Sequence, residues 1–250
     1  MRALAVLTSA FFCVVAVAAE DPVECPSATA CLAQARAALA QKRWGPAEEY
    51  AAYALDWAEP RDAALALEGY RLAARASLGA GKPLRAQAWT TAGRNYPGPW
   101  QPGPQRRPAP SPELERLDAQ AERAGSQARA GGLEGHYIAY VGRGMWNTLR
   151  ITKAGPERFR WHLDGLRPGN SDAVRRSGPA QMSEGNEGVG IAHGGSRAIE
   201  YDSASDPARK CKTAVEITAT GVEVTQGTPD CRMGNPGVNV FGPYRRVERE

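Results

Sequence analysis

Pro97-Gly98-Pro99-Trp100-Gln101-Pro102-Gly103-Pro104 divides this chain in two. Proline lacks an amide donor and fixes φ, so this density, continuing to Pro112, rules out helix and favours an extended, semi-rigid connector. Before it, from Thr29 to Tyr96, the sequence is Ala-rich, poor in β-branched residues and helically periodic. After it, from Leu133 onward, Gly, Val, Ile, Thr and aromatics alternate in short runs. This change of character predicts an α+β chain of two domains. A helical domain is expected at 20–96, a Pro-rich linker at 97–111, a connecting helix at 112–132 and a small antiparallel β-barrel or sandwich at 133–250.

Four helices are expected in the first domain, over Thr29–Lys42, Pro46–Ala58, Arg61–Leu78 and Pro83–Asn95. The connecting helix carries the clearest start signal: Ser111 as N-cap, Pro112 at the first helical position, then Glu113 and Glu115 in the first turn. It is expected to run towards Ala130 and stop at Gly131-Gly132. The segment Trp44-Gly45-Pro46-Ala47-Glu48-Glu49-Tyr50-Ala51-Ala52-Tyr53-Ala54-Leu55 places small residues at Ala47 and Ala54, with Pro60 closing the unit. Ala86, Gly93 and Pro97 echo that pattern. On these residues the helical half resembles tetratricopeptide repeats, in which small residues let two helices cross closely. The resemblance implies an α-helical hairpin repeat that presents helix faces to a partner. The Trp and Gly of that family's first helix are absent, and Ala47 to Ala86 exceeds its period of about 34 residues. A plain Ala-rich helical bundle accounts for the same composition. In either case no inward-pointing polar cluster is expected in this half.

In the second domain strands are expected at His136–Val141, Thr148–Lys153, Arg158–Leu163, Pro179–Ser183, Gly188–Ala192, Ala198–Tyr201, Thr213–Thr218, Val222–Thr225 and Tyr244–Val247. Leu149-Arg150-Ile151-Thr152 and Phe159-Arg160-Trp161-His162-Leu163 alternate apolar and charged, as half-buried strands do. Gly135-His136-Tyr137 and Gly242-Pro243-Tyr244 are placed to be neighbouring strands that close the sheet. The stretch Cys211 to Arg246, with Asp230-Cys231 and Val240-Phe241-Gly242-Pro243-Tyr244-Arg245-Arg246, is similar to the end of small secreted Gram-negative β domains with a Cys…Phe-x-Gly-x-Tyr-x-Arg motif. That similarity implies an envelope setting and no particular activity. Pro243 stands where those domains carry Thr.

Met1-Arg2, an apolar run from Ala3 to Val17 and Ala18-Ala19-Glu20 have the order of a cleavable signal peptide over residues 1–19. The run is shorter than the roughly 20 residues a spanning helix needs, so no membrane span is expected after cleavage. A lipoprotein reading through Cys13 fails on the bulky Phe11-Phe12 before it. The expected location is periplasmic or secreted, with a Gram-negative bacterium as the source. Cys25, Cys31, Cys211 and Cys231 then remain, and an even number in an exported chain predicts disulfides. Four cysteines allow three connectivities. Cys25–Cys31 with Cys211–Cys231 keeps each bond inside one domain. Zinc is the alternative, but neither pair has CxxC spacing, and no metal or other cofactor is expected. The formal charge of +4 becomes +3 once Arg2 is lost, too mild to imply nucleic acid.

The motifs of chemistry are weak. Gly194-Gly195-Ser196-Arg197-Ala198 lacks the second glycine of a nucleophile elbow and has no helix behind it. Gly185–Gly194 has no Lys-Ser/Thr following, as a phosphate loop requires. His136, His162 and His193 are scattered singly, and Glu184, Glu187, Asp202 and Asp206 show no pairing. No catalytic residue is therefore assigned and the chain is not expected to be an enzyme. Two features point to binding instead. Arg143, Met145 and Trp146 occupy one turn between strands, residue types that anchor interfaces, although Trp146 plugging one end of a barrel is the plainer account. Arg167, Arg175 and Arg176 surround the loop Pro168–Asp172, where guanidinium groups suit phosphate or carboxylate, and a solvated loop is the plainer account. The expected function is an exported protein–protein interaction protein with an unidentified partner in the cell envelope. The alternative is an inhibitor or immunity-type protein blocking an envelope hydrolase through the Arg143–Asn147 loop.

Overall fold

A computed structural model describes residues 25–59, 61–97, 111–126, 132–156, 158–165, 186–193, 196–203, 206–226 and 240–248. Among the described residues five helices precede eight strands. Helices α1 (Ala28–Ala40), α2 (Trp44–Ala58), α3 (Ala63–Gly79), α4 (Pro83–Arg94) and α5 (Pro112–Gly125) pack each against the next in chain order. Their starts follow local chemistry. The Ser27 hydroxyl accepts from the Ala30 amide, Asp62 accepts from the amides of Ala64 and Leu65, and Ser111 caps α5 ahead of Pro112.

Small residues set how closely the helices approach. Ala35, Ala51, Ala54, Ala66 and Ala73 are fully buried in one core with Leu32, Leu55, Tyr70 and Trp89. A Cβ added to Gly69 would lie 2.9 Å from Leu55 Cδ2, and one on Gly93 would lie 2.9 Å from Tyr70 Cβ. Helix α5 is described as far as Gly125, and its expected run towards Ala130 lies outside the described residues. Gly125 is where α5 closes on the first turn of α4, and a Cβ there would meet Leu84 Cδ2 at 2.9 Å. Cys25 and Cys31 are bonded, with Cα atoms 5.4 Å apart, tying the start of the described chain to α1. Ion pairs brace the outside: Arg36 with Glu68 joins α1 to α3, and Arg71 and Arg75 with Glu113 join α3 to α5. No helix among the described residues is long and apolar enough to cross a membrane.

The strands are β1 (Gly135–Gly142), β2 (Met145–Lys153), β3 (Arg158–Asp164), β4 (Asn186–His193), β5 (Ser196–Ser203), β6 (Asp206–Ile217), β7 (Gly221–Gln226) and β8 (Gly242–Glu248). Each pairs antiparallel with the next, and β8 returns to β1 through Tyr137↔Arg246 and Ile138↔Arg245, closing a barrel. The alternation read in β2 and β3 holds: Leu149, Ile151, Trp161 and Leu163 are buried inside, while Arg150 and Arg160 are exposed. Tyr137, Val215, Val222, Val224 and Tyr244 complete the interior. Arg246 staples the β1–β8 seam by donating to the Tyr137 hydroxyl oxygen at 2.6 Å, its guanidinium 5.2 Å from that ring's centroid. Strand β6 is longer than expected. The signal peptide, the linker, the Pro179–Ser183 strand, Cys231 and hence the Cys211–Cys231 bond lie outside the described residues.

Candidate functional site

Strand β1 is apolar on both faces. Tyr137 and Ala139 point into the barrel, and Ile138 and Tyr140 point out. The outward set packs on helices: Ile138 and Val247 meet Ala88 of α4, and Tyr140 and Trp146 join the helical core. Five aromatic rings meet there. Trp146 and Trp89 have centroids 4.7 Å apart at 83°, Tyr140 and Trp146 4.7 Å apart at 62°, and Tyr70 lies 5.8 Å from Tyr140 and 6.1 Å from Tyr96. These are edge-to-face and tilted arrangements that ring quadrupoles favour.

One carboxylate organises the junction. Glu59, just past the last turn of α2, is 2% exposed. Its carboxylate accepts from the Tyr70 hydroxyl at 2.5 Å, from the Tyr140 hydroxyl and from the Arg143 amide at 2.6 Å. The Glu59 carbonyl accepts from the Tyr96 hydroxyl at 2.8 Å. A buried charge needs this number of donors to offset lost hydration. The donors come from α3, the end of α4, β1 and the β1–β2 turn, so Glu59 binds the two halves together. It also corrects the expectation of a helical half with no inward polar group. Tyr70 and Tyr140 have phenol pKa values raised well above the ordinary 10, first by burial and then by the neighbouring Tyr140 and Glu59 charges for Tyr70, and by Glu59 for Tyr140. Both therefore remain donors.

The turn that enters this junction is the one singled out for binding. Arg143 has φ +53° and Gly144 φ +75°, the left-handed pair that a tight hairpin turn requires. A Cβ on Gly144 would overlap the carbonyl oxygen of Ala52 in α2. The Arg143 guanidinium lies 3.7 Å from Asp56 Oδ1, its side chain 22% exposed. Trp146 is half-buried against Trp89, and Met145 starts β2 in register with Gly142, also half-buried. Arg143 and Trp146 thus face the chain's own helices. Asn147 is buried within the barrel, hydrogen-bonding the Tyr244 hydroxyl, whose pKa burial raises. Arg167, Arg175 and Arg176 lie outside the described residues. His193 is opposite Ser196 in the register of β4 and β5. Among the described residues no three His, Cys, Asp or Glu side chains gather as a metal-binding set.

A second polar arrangement appears only through strand register. His136, Arg150 and His162 stand directly opposite one another across β1, β2 and β3, in a row outside the barrel. His162 Nε2 lies 3.1 Å from Asp164 Oδ2, which also accepts from Thr148 at 3.2 Å. At the row's other end His136 is opposite Glu248, and Lys82 at the start of α4 lies 3.6 Å from Glu248. The row thus sets basic side chains between Glu248 of β8 and Glu187 of β4, the residue opposite His162. No family model matches the chain, no curated protein matches it, and no solved structure matches it.

Proposed function

We propose that this is an exported binding protein of the bacterial envelope, whose helical half, built as helix pairs of the tetratricopeptide type, holds a protein partner while the barrel serves as a second recognition module. The consecutive helix pairs α1/α2 and α3/α4, packed at alanines and glycines, support the repeat reading. The disulfide between Cys25 and Cys31 supports export, because such bonds persist in oxidising compartments. The observation that carries the proposal is the seating of the β1–β2 turn on Glu59. It fixes the barrel to one side of the helix stack and leaves the outer faces of α1 and α2, with Gln34 and Tyr53 exposed, to meet a partner. For the inhibitor reading, Arg143 and Trp146 first have to leave contacts that each half uses for its own packing.

The test is capture on the immobilised whole mature chain from envelope extract of the native host. One protein retained above background at physiological salt is expected. Retention of glycan or small molecules alone contradicts the proposal.

A further inference from the structure

We draw no further inference here: the strongest candidate, the barrel interior beside Trp161, where the buried indole N–H has no acceptor among the described residues and Gly188 stands opposite in register, carries nothing because the side chains of β4 and β5 around it are not among those residues.

Discussion

The backbone amide of Arg143, in the first hairpin of the barrel, donates at 2.6 Å to the carboxylate of Glu59 at the end of the second helix. The two residues are far apart in sequence and belong to halves of different architecture. The same carboxylate also accepts the Tyr70 and Tyr140 hydroxyls, so helix stack and barrel share one buried charge. Glu59→Gln keeps the shape but turns one acceptor into a donor that faces donors. The expected loss is about 2–3 kcal/mol, read from the urea midpoint. A change under about 1 kcal/mol contradicts the role given to this carboxylate.

Gly144 is required twice over, by its φ of +75° and by the Ala52 carbonyl against it. Gly144→Ala is expected to cost about 2 kcal/mol or more. It should also make the near-ultraviolet signal of the junction tryptophans change before the far-ultraviolet signal on denaturant titration. Coincident transitions at the wild-type midpoint are the opposing result.

Much of this organisation was legible in the chain. Pro46, Pro83 and the Ser111-Pro112 pair marked three helix starts to within two residues, and Leu149–Thr152 and Phe159–Leu163 announced their inward faces by alternation. The strands that Gly135–Tyr137 and Gly242–Tyr244 begin are the neighbours that close the sheet, as expected, although the pairing runs through Tyr137↔Arg246 and Ile138↔Arg245. Glu59 was not legible. Followed by Pro60, it reads as a solvated helix end, and only tertiary folding brings Tyr70, Tyr96 and Tyr140 to it. A signal did exist in His136-Tyr137-Ile138-Ala139-Tyr140, because a strand apolar on both faces in a small antiparallel barrel needs cover outside as well as inside. The row His136–Arg150–His162 depends on register, which alternation alone leaves open.

The buried phenols tie stability to alkaline pH. Tyr70 and Tyr140 have folded-state pKa values well above 10, so their unfolded forms release protons first as pH rises. Their contribution is fully present below about pH 10 and is lost as pH climbs towards the folded values. Absorbance at tyrosinate wavelengths should show these two, together with Tyr244, silent until the protein unfolds. Full ionisation of all eight tyrosines in a protein still folded contradicts this burial.

The Cys25–Cys31 bond closes a short loop, with a sequence separation of 6. Loop-closure arithmetic for that size gives about 2 kcal/mol. Cys31→Ser is expected to lower stability by that amount without moving the barrel's signals, measured by thermal unfolding with far-ultraviolet detection. A loss of barrel structure in this variant contradicts the confinement of the bond to α1.

The most direct measurement of the central claim is site-specific photocrosslinking in the native host. The reactive side chain is placed in turn at Gln34 on α1, at Tyr53 on α2 and at Thr152 on the barrel. The account predicts a protein adduct of one defined mass from a helical position, with the barrel position reacting, if at all, with that same protein. Adducts from the barrel position alone, or none from any of the three, would contradict a helical half built to hold a partner.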